Sequence, residues 1–364
     1  MSEIILLSQS LDFDKPFISN KLQVDRLIRR GVSMDSRERP IVEQLIKEHG
    51  YYQIINSYGA PFETEKSTEK NYTDNVSFSD IYSQFYLDRK LSRLLFNYIL
   101  DIEEHFSNVI AYHVAEHFGV NNYLTSDENN NFPTVKSYLD ESFYPNTNKG
   151  ILTILNNTAL KETKNPTSWY RKNNNHIPPW ILFMNVTLGD KNRYYRILPT
   201  NIKAEIIDDM FPLNFSESKF SEVNKSTKKR NASGHQLRAT YFFKGIELMR
   251  NFRNCIAHSS RVYAYKIGKQ KELPNSTKYL SGMESKLFNS KEYFKGVGGT
   301  DLFALFIWII ICSPTKDIGN DFIRSLIEFN DSIVETALPI FLKESNLPNN
   351  YIARLKMLLE NLEY

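Results

Sequence analysis

Cysteine is scarce: Cys255 and Cys312 are the only two in 364 residues. They stand far apart, each within an apolar helical pattern, which fits buried thiols in a reducing compartment, the cytoplasm, better than a disulfide framework. Charge of one sign is missing as well. The 45 Lys and Arg face 42 Asp and Glu, a formal net charge of +3, so no global field demands a nucleic-acid partner and any basic surface must be local. The most apolar stretch, Leu302 to Cys312 (LFALFIWIIIC), falls far short of the ~20 residues a membrane-spanning helix needs. It reads as a buried core helix, and no membrane partner is expected. The opening MSEIILLSQSLDFDKPF has no basic segment before its apolar run and no small-residue cleavage site after it, so it does not read as a signal peptide. Strand alternation is nearly absent, and there is no internal repeat, heptad run or extended low-complexity tract.

What remains is helix-forming and rich in core material. Hydrophobic residues make up 41% of the chain and aromatic residues 13%, ample for packed cores and enough length for two domains. Ser19 to Arg30 reads as a short amphipathic helix with a capping Ser and a stop at Gly31, and a second follows Pro40 with an interruption at Gly50. The polar stretch Glu63 to Asn71 marks the best boundary, giving a small helical module over 1–70 and a larger helical domain over 71–364. From Phe78 to Phe118 the helical period runs without Pro or Gly until Gly119. Asn121 to Asn148 reads as a surface excursion. Further helices are expected over Ile151–Leu160, Trp180–Leu188, Asn201–Met210, Gln236–His258, Asp301–Cys312, Asp321–Leu342 and Asn349–Leu362, with a polar loop between Lys266 and Gly299. Trp169, Trp180 and Trp308 are expected to pack in cores.

One helix carries candidate chemistry. Projected at about 100° per residue, GIELMRNFRNCIAHSSRVYAYK gathers Phe242, Met249, Phe252, Cys255 and Ile256 on one side and Glu247, Arg250, Arg253, Asn254 and His258 on the other. Asn254 and His258, four apart, face the same way, and Arg253 at the edge can reach a shared anion. An imidazole moves protons near neutral pH and a guanidinium stabilises charge developing on phosphate oxygens, which suits phosphodiester cleavage without a metal. From Lys225 to Lys271 there are twelve Lys and Arg against one acidic residue, Glu247. This stretch includes Lys228, Lys229, Arg230 and Arg261, with Tyr263 and Tyr265 interleaved as surfaces on which bases could stack. An ordinary solvated helix face accounts for the same residues. Two rival signals stand elsewhere. His113-Val-Ala-Glu116-His117 matches the H-x-x-E-H arrangement of inverted zinc peptidases, with Glu116 as base, but a third ligand does not announce itself. Lys295 to Asp301 (KGVGGTD) offers backbone amides to an anion at a helix start, although helix entry explains it adequately.

The string RNCIAHSSRVY resembles the motif of the HEPN ribonuclease superfamily, above all the version in abortive-infection proteins of the AbiD/AbiF type. Three segments are similar to that family in the same order: KPFISNKLQVDRLIRRGV, HGYYQIINSY and FSDIYSQFYLDRKLSRLLFNYILDIEEHF, with a weaker echo in PPWILFMNVTLGD. The resemblance covers roughly Lys15 to Tyr263. It implies an all-α fold, a HEPN-like helical bundle preceded by a small N-terminal helical module and followed by additional C-terminal helices. It also implies an endoribonuclease toxin of an abortive-infection or toxin–antitoxin system that needs no cofactor or metal and uses the RNA 2′-hydroxyl as internal nucleophile. One copy of the motif per chain implies a homodimer, with both copies lining one cleft. Carried over by position, Arg253 binds and stabilises the scissile phosphate, Asn254 orients the phosphate or His258, and His258 acts as general acid or base. Glu103 or Glu104 could orient the pair or be an exposed charge. The local basic excess, not the resemblance, makes Arg250, Arg261, Tyr263, Lys228, Lys229 and Arg230 candidates to contact RNA, the Lys225–Arg230 cluster serving equally well to keep a loop soluble. Because some relatives are held in check by a structured small RNA, a noncoding RNA antitoxin joins the RNA substrate as an expected partner. Two other classes remain open: an RNA-binding regulator with weak or lost activity, and a zinc metallopeptidase using His113, Glu116 and His117.

Overall fold

In a computed structural model the described residues are 15–64, 70–122, 136–145, 149–216, 218, 220, 233–268 and 287–364. Among them the structure is all-α: no strand forms, and the only β-type pairings are the isolated bridges Ser33–Ser77 and Glu63–Tyr72. The chain divides into two compact units, residues 1–89 with 333–341 and residues 90–332 with 342–364, so the division falls within the longest helix.

In the first unit, α1 (Asn20–Arg29) starts where the Ser19 hydroxyl accepts the Leu22 N–H. It buries Val24 and Leu27 against α2 (Glu38–His49), whose inward positions are Val42 and Ile46. Gly50, at φ +86°, ends α2, a conformation that a residue with a Cβ adopts only with strain. A π turn over Tyr52–Asn56 follows, and the buried Tyr58 hydroxyl donates to the Asp88 carboxylate at 2.6 Å. That bond ties the segment to the start of α3 (Phe78–Phe118), where Ile81 and Phe85 are buried.

The second unit is organised around α9 (Gly234–Ala257), against which α7 (Leu188–Ile197), α8 (Thr200–Met210) and α11 (Leu302–Ile311) pack. Phe242 is the hub, with Phe106, Tyr195 and Phe211 ring centroids 5.5, 5.1 and 5.2 Å away. All ten residues of α11 are buried, as a helix apolar on every side requires. It is covered by α12 (Lys316–Asp331) and α14 (Tyr351–Glu360). Smaller helices complete the unit: α4 (Gly150–Lys161), α5 (Thr167–Asn173), α6 (Pro179–Leu182) and α10 (Ser290–Phe294), while α13 (Leu338–Ser345) begins in the first unit and ends in the second. No helix among the described residues is long and apolar enough to cross a membrane.

Four expectations change. The helix expected over Trp180–Leu188 stops at Leu182, passes through a single 3-10 turn and restarts at Leu188, because Thr187 turns extended and caps the new helix through the Asp190 N–H. The helix expected over Asp321–Leu342 is two, α12 and α13. Described parts of the Asn121–Asn148 stretch are packed: Tyr138 and Tyr144 are buried, with Tyr144 Oη 2.5 Å from Tyr194 Oη and Tyr138 Oη donating to Ile177 O at 2.8 Å. Of the tryptophans only Trp308 is a core residue; Trp169 and Trp180 are exposed.

Candidate active site

The helix that carries the Arg-to-His motif is fixed at both ends. At its start Ser233 and Gln236 form a reciprocal capping box, which satisfies two otherwise orphaned N–H groups. At its end Ala257 is the last helical residue and His258 is the cap, not a helical position. Ser259 takes the left-handed conformation at φ +55°. Its N–H bonds to Ile256 O at 2.9 Å, and the Ser260 N–H bonds to Cys255 O at 3.0 Å. This is a Schellman closure with serine where glycine usually sits. It leaves His258 exposed at the tip of α9, its own N–H held by Asn254 O at 3.0 Å.

One turn back, a cleft of about 580 Å³ opens beside Arg250, Arg253 and Asn254, with Glu103 and the segment Met184–Gly189 among its other walls. Gly189 makes room for this: a Cβ there would stand 3.0 Å from the Arg250 Cδ. Arg250 lies under Glu247, which receives its Nε at 2.9 Å and its Nη2 in a short second bond. Arg253 points its Nε at the Glu103 Oε2, 3.6 Å away, with 36% of the arginine side chain and 15% of the glutamate exposed. That is ion-pair distance but too long for a hydrogen bond. Glu104, the neighbouring candidate, is exposed. A further residue that the helical pattern did not single out feels the charges of Glu103 and Arg253. Lys191 of α7 is buried, and burial pushes its ammonium below the ordinary lysine range; Glu103 pulls it back up, and Arg253 lowers it further. Nothing short of the tertiary fold could reveal it, since a single Lys in LGDKNRYY reads as helix surface.

The structure thus brings Arg253, Asn254, Arg250 and Glu103 to one cleft and sets His258 outside the walls of that cleft. Other candidates lie elsewhere. Tyr263 is fully buried, with Arg261 over its ring at 4.6 Å and the Arg261 Nη2 bonded to both Tyr263 Oη and Glu344. A ring in that position offers no surface to a base, so the stacking expectation for Tyr263 fails and Arg261 serves a packed ion pair. Lys228, Lys229 and Arg230 lie outside the described residues. The glycine-rich Lys295–Asp301 turn holds no vacancy for an anion: the Asp301 carboxylate itself accepts the N–H groups of Gly298 and Ala304. Both cysteines are buried and neither forms a disulfide; the Cys255 thiol donates to Arg261 O at 3.6 Å.

No curated protein and no solved structure matches the chain. The profile of the family described as Abi-like protein matches residues 44–264, a span that runs from α2 through the whole of α3, α7 and α9 to the turn beyond His258. That match covers more than half of the sequence and contains every side chain lining the Arg253 cleft, and on it the chain belongs to the Abi-like protein family.

Proposed function

We propose that the protein is an endoribonuclease toxin acting in abortive infection or a toxin–antitoxin system, with the Arg253 cleft as the phosphate site. The family supports a role in abortive infection. The observation that carries the reading is the cleft itself, in which a half-exposed Arg253 backed by Glu103, and Asn254 beside it, face open volume. Such a guanidinium stabilises the charge that develops on phosphate oxygens as the RNA 2′-hydroxyl attacks. The proton traffic falls to His258. Its exposed place at the end of α9, outside its own cleft, supports a homodimer in which the tips of two such helices meet and each motif completes the other. Chemistry of this kind asks for no metal at the scissile phosphate. A small noncoding RNA is the proposed antitoxin partner.

Expression of wild type and His258→Ala in bacteria, with growth recorded and RNA 5′ ends mapped, tests this reading. Growth arrest and new RNA ends in wild type alone are expected, with the variant still folded, because an exposed polar change costs no more than about 0.5 kcal/mol. Equal activity of the variant would remove His258 from the mechanism. Salt-sensitive RNA binding without new ends would instead favour a regulatory RNA-binding protein.

A further inference from the structure

The last turn of α3 faces α8 across a cluster of side chains that the cleft does not use. His113, Glu116 and His117 of α3 and Glu205 of α8 each offer one nitrogen or oxygen, all within 4.8 Å of one another. His113 is only 6% exposed, and its Nε2 lies 2.7 Å from the Asp209 carboxylate. An ionised carboxylate can only accept, so Nε2 carries the proton and the Nδ1 of a neutral ring is left with a lone pair. That Nδ1 has no hydrogen-bond partner. It faces Glu116 Oε2 and Glu205 Oε2, each 3.4 Å away. Three electron-rich atoms that converge beside a buried ring repel one another unless a cation sits among them, although the Glu116 and Glu205 side chains remain 50% and 38% exposed.

We infer that His113 Nδ1, His117 Nε2, Glu116 and Glu205 form a zinc-type divalent metal site that staples the end of α3 to α8. Two imidazole nitrogens and two carboxylate oxygens are an ordinary ligand set for Zn²⁺, which takes four ligands at about 2.0–2.2 Å in a tetrahedron. The edge of that tetrahedron is about 3.3 Å, close to the two His113 separations of 3.4 Å. His117 Nε2 and Glu205 Oε2 stand closer, at 2.5 Å. Both are partly exposed and can part by the extra distance as the ion enters. Asp209, one turn beyond Glu205 on α8, supplies the carboxylate that fixes the tautomer and orientation of a metal-bound histidine. Four protein ligands close the coordination sphere, so the site is structural. In a peptidase Glu116 would have to leave the metal and serve as base, with an open position for water.

The test uses the full chain, stripped of metal, with Co²⁺ as spectroscopic probe and Zn²⁺ in calorimetric titration. Expected are one ion per chain, the intense visible absorption of tetrahedral Co²⁺ that Zn²⁺ displaces, and a rise in Tm on adding Zn²⁺. His117→Ala and Glu205→Gln, at partly exposed positions, should each weaken binding at least tenfold, and Asp209→Asn about 10- to 100-fold without removing a ligand. His258→Ala should bind as wild type does, which separates this site from the proposed RNase centre. Circular dichroism of each variant confirms that it is folded. Absence of a one-to-one complex in wild type would overturn the proposal and leave a proton on Nδ1 as the cation. Equal affinity in folded wild type, His117→Ala and Glu205→Gln would overturn it too. Chelator-sensitive peptide hydrolysis by the loaded protein would replace a structural staple with a catalytic centre.

Discussion

Glu103 Oε2 stands 3.6 Å from Arg253 Nε, and the charge of the same carboxylate offsets part of the lowering that burial imposes on the Lys191 ammonium. A carboxylate at ion-pair distance constrains where the arginine stands, and in the proposed enzyme this makes Glu103 a positioning residue. Glu103→Gln keeps the shape and removes the charge. Single-turnover cleavage should then slow about ten- to a hundredfold, the scale of a misplaced charge-stabilising group, while KM stays level or falls because one competitor for the arginine has gone. Arg253→Lys should not restore the rate, since an ammonium lacks the planar fork. An unchanged kcat in Glu103→Gln would leave the carboxylate a structural role only.

Ser259 bears the left-handed turn that ends α9. A Cβ in that region costs about 1–2 kcal/mol, which glycine avoids. Ser259→Gly should therefore raise the urea midpoint by an amount corresponding to about 0.5–1 kcal/mol, and Ser259→Val should lower it. Because the closure bonds are made by backbone groups, cleavage by the glycine variant should stay near wild type. Identical midpoints for the two variants would show that the turn relaxes around either residue.

Gly245 of α9 lies against Trp308 of α11; a Cβ at that position would fall 2.3 Å from the ring. The indole is buried and cannot step aside. Gly245→Ala should lower stability by about 1–3 kcal/mol, the usual cost of overpacking, read as a drop in Tm with helical content retained. A Tm equal to wild type would mean that α9 and α11 are less closely seated than they stand here.

Asp301 caps α11 from a buried position, and burial pushes its carboxyl above the ordinary carboxylate range, while bonds from Ala304, Gly298 and Asn346 partly offset this. For an acid whose folded pKa is raised, stability is fullest below the unfolded value, about 3.9, and is lost as pH rises through the folded value. Asp301→Asn has no such charge. Denaturant midpoints measured at steps from pH 3 to pH 7 should therefore shift in favour of the variant as pH rises. A gap that stays constant would mean that Asp301 titrates as it does in water.

Helix periodicity revealed α3 from Phe78 to Phe118 with both ends in place, because no Pro or Gly interrupts it and Gly119, at φ +79°, closes it. The apolar stripe of α9 was equally legible, with Phe242, Met249, Phe252 and Cys255 all buried. What periodicity could not give is anything decided between elements. Thr187 looks like any helical threonine until its hydroxyl caps α7. Lys191 feels the charges of Glu103 and Arg253 only because α7 docks on α9. Glu205 and Asp209, which turn a His-x-x-Glu-His string into a five-residue cluster, come from a helix far along the chain.

The same limit applies to charge. Between Lys225 and Lys271 the sequence shows one acidic residue, yet Arg238, Arg250, Arg253 and Arg261 face Asp208, Glu247, Glu103 and Glu344 respectively. An arginine that already has an internal counterion has few solution ions to release when a phosphate arrives. Binding at such a surface is an exchange of carboxylate for phosphate, and its affinity should fall with added salt less steeply than a count of arginines implies.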